Sequence, residues 1–201
     1  MSVVVDRETL SAETMGFRTV GHVLSHLQRD NRLVVHVLID GQEPDLGRLN
    51  VTRQLPLAGH TLFIETADPR ALALEALAEV EAQLGTADRL RDESGQLLQK
   101  GQTSKGLERL SGCFSTWQNA EQSVRQTGAL LRINLTEIAA GATTLADMLG
   151  EFGEQLRQVK AALEQRDFVL LTDILLYEMT QTSARWQEAL ASMRETIEGL
   201  R

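Results

Sequence analysis

The stretch HTLFIETADPRALALEAL, residues 60–77, changes character at its centre. HTLFIET reads as a strand. Asp68 is a favoured N-cap, and Pro69 suits the first helical position, where its missing N–H costs nothing. The rest of the chain separates at the same point. All three prolines and all four histidines lie at or before residue 69, and the remaining 132 residues hold none of either. This predicts a small α+β domain over 1–67 and a helical domain over 68–201.

The first part alternates strand and helix signals. VVVDRE reads as a short strand. TVGHVLSHLQRDN puts Val20, Val23, Leu24 and Leu27 on one helical face. RLVVHVLIDG is the clearest strand, with Leu33, Val35, Val37 and Ile39 pointing one way and Val34, His36, Leu38 and Asp40 the other. Asp40-Gly41 is a strong turn signal. A short segment containing DLGRLN leads to the last strand. A strand–helix–strand crossover of this kind pairs strands in parallel, with the helix over one face.

RLVVHVLIDGQEPDLGRLNV together with GHTLFIET resembles the third strand, turn, short helix and last strand of the β-grasp (ubiquitin-like) fold. The resemblance covers about a quarter of the chain. It implies a first β-hairpin, for which no glycine-containing turn is visible, so its existence is left open. The free Gly-Gly tail of ubiquitin-like modifiers is replaced by Asp68-Pro69 and a helix, so carrier chemistry is not implied.

The second part reads as an antiparallel four-helix bundle of long helices over 69–99, 104–132, 135–165 and 167–199. Connectors this short make successive helices antiparallel neighbours. Asn134 with Glu137 makes a capping-box pattern for the third helix. Leu107, Leu110, Phe114, Trp117, Glu121, Val124, Gly128 and Leu131 keep alternating three-four spacing, as do Leu135, Ile138, Ala142, Leu145, Leu149, Phe152, Leu156, Val159 and Leu163. No strand is expected after residue 70. Helix-interior glycines, Gly85 and Gly95 among them, each cost up to ~1 kcal/mol relative to Ala, and close helix approach is one reason to keep them. A bundle with seams of this kind is faintly similar to the flagellar export chaperones, which bind helical tails of other proteins.

Composition excludes several functions. The net charge of −8 argues against nucleic acid and anionic membrane as partners, both of which need a positive field. The single cysteine, Cys113, rules out an intramolecular disulfide and a cysteine-based zinc site; beside Leu110 and Phe114 it reads as a small buried apolar residue. The N-terminus lacks the basic and apolar regions of a signal peptide, and no run approaches ~18 apolar residues, so the expectation is a cytoplasmic protein with no membrane span. A di-iron site needs Glu-x-x-His pairs, and the helical part has no histidine. Glu121 and Glu178 near seam positions read as partly exposed or paired with arginine. His22 and His26 stand four apart but lack the Glu of HEXXH, and they read as a solvated pair. No phosphate loop or nucleophile–base pattern is present. The chain therefore reads as non-catalytic, with no cofactor and no metal.

One segment stands out. RDFVLLTDILLYEMTQTSARW, residues 166–186, is apolar nearly all round for its first three turns and amphipathic afterwards. On a 100° wheel, Phe168, Leu171, Leu175, Met179, Trp186, Leu190 and Met193 face the bundle. Val169, Leu170, Ile174, Leu176 and Tyr177 face away, and Asp173, Tyr177 and Glu178 read as anchors of a covering layer. A helix apolar on every side is covered on every side, so these residues predict an interface with the N-terminal domain or with a second copy, as a dimer. The function expected is that of a protein-interaction or adaptor protein; the alternative is a small-molecule-binding protein with a site between domain and bundle.

Overall fold

The computed structural model describes residues 2–200, the side chain of Leu46 excepted. The chain is α+β and forms two compact units, Met1–Leu72 and Ala73–Arg201.

In the first unit, β1 (Ser2–Val5) turns into β2 (Glu8–Thr9) through Asp6 and Arg7, both at positive φ, 49° and 70°. The first hairpin therefore exists. It uses the mirror-image two-residue turn that matches strand twist, without a glycine. The Asp6 carboxylate holds the turn: it accepts from the Thr66 hydroxyl at 2.6 Å, from the Thr66 N–H at 2.7 Å and from Arg32. These bonds, the Thr66 hydroxyl foremost, pull its pKa below the ordinary carboxylate value.

Helix α1 (Val20–Arg29) is capped by Thr19 and buries Val20, Val23 and Leu27. Strands β3 (Leu33–Ile39) and β4 (Thr61–Ala67) complete a sheet of order β2-β1-β4-β3, in which β1 and β4 are parallel and the other pairs antiparallel. Val3, Val5, Leu62 and Ile64, alternate residues of the two central strands, form the core with α1. β3 ends in the tight turn read from Asp40-Gly41: Ile39 and Gln42 exchange both backbone hydrogen bonds, at 2.9 and 3.0 Å. Asp40 accepts from the Thr61 N–H at 2.8 Å and pairs with His60 at 2.6 Å, and the two hold its carboxyl below the usual range.

The alternation expected along β3 does not run through. A β-bulge falls between Val34 and His36, so Val34, Val37 and Ile39 lie against the core while Val35 stands outside, 52% exposed. One extra residue flips the facing of everything beyond it. A 3₁₀ turn (Leu46–Arg48) and α2 (Leu49–Gln54) link β3 to β4.

In the second unit, α3 spans Pro69–Gln99 and α4 spans Thr103–Leu131. Asp68 Oδ1 accepts from the Arg70 N–H at 2.9 Å, as its capping position requires. The third helix departs from expectation. α5 runs Leu145–Gln165, ten residues short at its start. Asn134 and Glu137 bond each other, and Asn134 takes the Thr136 N–H and hydroxyl into a local turn. There follow two short strands, β5 (Ala139–Ala140) and β6 (Thr143–Thr144), paired antiparallel around Gly141 at φ +66°. The expectation of no strand after residue 70 is thus corrected. The capping box belongs to Thr144 and Asp147. Ile138 and Ala140 are still buried, so the hairpin fills the space the missing helical turns would have filled.

Seam residues of both heptad runs are buried: Leu110, Trp117 and Val124 on α4, and Leu149, Phe152 and Val159 on α5. Phe114, Trp117, Phe152 and Trp186 make a row of edge-to-face contacts with centroids 5.7, 6.3 and 5.5 Å apart, the favoured aromatic geometry. Cys113 is fully buried, and burial pushes its thiol pKa up to about 11. Among the described residues no helix is long and apolar enough to cross a membrane.

Candidate interaction face

The last helix does not run regularly. α6 (Phe168–Asp173) passes into a π-helical segment (Ile174–Glu178) and then α7 (Met179–Gly199). The Met179 N–H donates to the carbonyl of Ile174, five residues back. That wider turn decides where the singled-out side chains lie. Ile174 and Met179 stack in line and both face the core, so Ile174 is 1% exposed instead of facing away. Leu176 lodges over α3, where a Cβ added to Gly95 would meet its side chain at 2.5 Å; Gly95 is the space into which Leu176 fits.

Three of the expected apolar residues remain outside. Val169 is 75% exposed, Tyr177 63%, and Leu170 is exposed as well. Asp173 and Glu178 are also exposed, and among the described residues the side chains of Asp173, Tyr177 and Glu178 make no hydrogen bond. Asp173, Tyr177 and Glu178 thus stand at the surface of the single chain, and it is Ile174 and Leu176 of the expected outer face that turn inward. A 100° wheel carried through a turn wider than α places these two on the wrong side.

The buried polar network lies elsewhere, on the helix's other flank. Arg91 of α3, 3% exposed, donates to the Met179 carbonyl at 3.0 Å and to Ser183 Oγ at 2.5 Å. Its charge is met by Asp88 at 3.1 Å and Asp92 at 2.8 Å. Ser183 in turn donates to Asp88 at 2.6 Å. Hydroxyls of Thr172 and Thr180 donate back to carbonyls four residues earlier, and the Ser183 hydroxyl lies 3.1 Å from the Met179 carbonyl. A π segment disturbs the regular hydrogen-bond ladder, and these donors satisfy carbonyls around it. The cluster of Ser and Thr after Leu171 was the available signal. Arg91 carried none, because a lone arginine in a helix reads as solvated.

A small cavity of about 30 Å³ adjoins this network, lined among others by Asp88, Trp117, Phe152, Thr182 and Trp186. The Trp186 indole N–H is buried and has no partner among the described residues. The histidine pair is split between two tasks: His22 Nδ1 accepts from the Arg18 N–H at 3.3 Å, while His26 packs on Phe17 and approaches Asp30. Glu121 is half-buried and bonded to Arg125 at 2.9 Å. Among the described residues no three His, Cys, Asp or Glu side chains gather to hold a metal ion.

The helical unit is also where likeness to other proteins falls. The model of a family described as a domain of unknown function (DUF8042) matches residues 75–189, more than half of the chain. The chain belongs to that family. The DUF8042 match begins inside α3 and ends inside α7, so it takes in the π segment, the Arg91 network and the exposed Val169–Tyr177 face. No curated protein and no solved structure matches the chain.

Proposed function

We propose that this chain is a non-catalytic interaction or adaptor protein of the cytoplasm, and that Val169, Leu170 and Tyr177 form its docking face for another protein or a second copy of itself. One observation carries the reading. A helix whose inner side is packed presents Val169 and Tyr177, both large and mostly apolar, to the surroundings. Exposed apolar groups clustered on one face mark contact sites more often than catalytic ones. The exposed Asp173 between them gives such a face a polar rim.

The same proposal treats the N-terminal unit as β-grasp-like and α3, α4, α5 and the α6–α7 run as an antiparallel four-helix bundle. The central parallel pair of β1 and β4, flanked by β2 and β3, supports the first. The short links after α3 and α5, closed by Gly101 and Arg166 at positive φ, support the second.

A photo-crosslinking residue placed at position 169, with a control at Glu188, tests the face in the native host. Adducts formed from 169 in excess of those from 188 are expected, and light scattering of the purified chain identifies the case in which the adduct is a second copy. Equal labelling from the two positions refutes the proposal.

A further inference from the structure

The first unit carries a second surface, independent of the face just described. β3 is an edge strand of the sheet. The Asp40 N–H donates to the Thr61 carbonyl, toward β4. Alternate residues of an antiparallel strand direct both backbone groups to the same side, so Val37 and Ile39 direct theirs outward. Ile39 spends its N–H on the Gln42 carbonyl; Val37 meets no turn or loop carbonyl among the described residues. The bulge at Val35 leaves one more apolar side chain exposed beside the groove.

Beside the edge runs an open groove of about 500 Å³, walled by Val20 and Leu24 of α1, Val35 and Val37 of β3, and Leu49 and Arg53 of α2. α2 buries none of its side chains, and Leu49 is half exposed. Charge in the groove is uneven. Arg32 is taken by Asp6 and Thr66, and His36 is taken by Glu43. Arg53 bonds only the Ser25 hydroxyl, at 3.1 Å, and no carboxylate pairs with it among the described residues. Arg53 is exposed and, among the described residues, unpaired, so it is free to meet a carboxylate that a partner brings.

We infer that the groove takes an extended peptide segment of a partner protein, which adds as a strand to β3 at Val35–Val37 and sets a carboxylate against Arg53. Free edge groups supply main-chain bonds and the apolar walls take alternate side chains, the usual division in strand addition. From Leu33 to Val37 the edge spans four rises of ~3.3 Å, about 13 Å, the length of a strand of roughly five residues. A free amino-acid-sized anion would satisfy Arg53 alone and leave Val37 as it is.

The test pans a library of random eight-residue peptides, displayed on phage, against the full chain. Arg53→Glu and Val35→Asp serve as counter-targets, each first checked for an unchanged melting temperature, since both side chains are exposed. Sequences with alternating β-branched residues and an Asp or Glu are expected to be enriched. A synthetic peptide made from one of them should bind at least tenfold more weakly to Arg53→Glu and should slow exchange of the Val37 amide proton. Amidating the peptide's C-terminus separates a side-chain carboxylate from a terminal one. The inference is overturned if no sequence is enriched, if selected peptides bind both counter-targets as well as the parent, or if Val37 exchange is unchanged on binding.

Discussion

Asp6 in the sheet unit and Asp88 in the helical unit each meet an arginine, in different surroundings. The Asp6–Arg32 pair is 38% exposed on both sides, whereas Arg91 in the Asp88 pair is 4% exposed and Asp88 25%. Asp6 stabilises a turn at the rim, where water screens its charge and the net gain is small. Arg91 stands inside, against the Met179 carbonyl and Ser183. Its value lies less in the pair itself than in what removal leaves behind: a half-buried carboxylate without its cation. The same two chemical groups thus close a strand turn in one unit and support an irregular helix in the other.

Removing the buried member should have the largest effect. Arg91→Ala is expected to destabilise the helical unit by about 3–5 kcal/mol, the range for breaking a buried pair. Arg91→Met, which keeps much of the volume, should cost less, since Ser183 already donates to Asp88. Urea denaturation followed by helical circular dichroism measures both. Loss of under 1 kcal/mol for Arg91→Ala would show that water replaces the guanidinium and that the network is not structural.

Two glycines separate space from propensity next. Gly95→Ala forces a Cβ to 2.5 Å from Leu176, and overpacking of this kind costs about 1–3 kcal/mol. At Gly85 a Cβ meets nothing within 4 Å, so Gly85→Ala should gain up to ~1 kcal/mol of helix propensity. The double variant Gly95→Ala with Leu176→Ala relieves the clash, and thermal melts of the set should show that recovery. Equal effects at the two glycines would mean Leu176 moves aside freely.

How much of this was legible follows from the kind of signal each feature needs. α3 begins at its expected start because Asp68-Pro69 carries local chemistry that survives folding, whereas α4 begins at Thr103, one residue early, behind Gln102, whose side chain makes no capping bond. The start of α5 was misplaced because two capping patterns lie ten residues apart, Asn134/Glu137 and Thr144/Asp147, and the heptad positions Ile138 and Ala142 continue between them. Only Gly141 at positive φ breaks the run, and a glycine in a helical pattern is ambiguous. The first hairpin was hidden because Arg7 adopts a φ arginine disfavours, held there by Asp6 bonds to Thr66, sixty residues on. The exposed residues Val169, Leu170 and Tyr177 were singled out from the apolar excess alone. Ile174 and Leu176 were given the wrong surroundings because a five-residue turn has no periodicity to read.

At the rim, acid should reveal what Asp6 contributes. Its folded pKa lies below the unfolded value of about 3.9. A depressed carboxyl adds stability that is present above the unfolded pKa and is lost as pH falls through the folded one. The sheet unit should therefore weaken below about pH 4, and Asp6→Asn should flatten that dependence while costing on the order of 1 kcal/mol at neutral pH. Amide exchange of β1 and β4 across pH 2–7, compared between parent and variant, reads the effect in this unit alone. A variant with the parent's acid profile would assign the dependence to another group, Asp40 first.

The smallest effect on stability is expected at the face we propose for docking, and that smallness is informative. Val169 is three-quarters exposed, so Val169→Ser removes little burial, and a surface change of this kind shifts stability by no more than about 0.5 kcal/mol. The side chain's apolar surface then has no role in holding the chain's own fold, unlike Ile174 five residues on. If the face serves an interaction, Val169→Ser with Tyr177→Ser should leave the melting temperature within a degree or two and still weaken partner capture or self-association. A large drop in melting temperature for the purified chain would mean that the face is already covered within one molecule, and the docking proposal would lose its carrying observation.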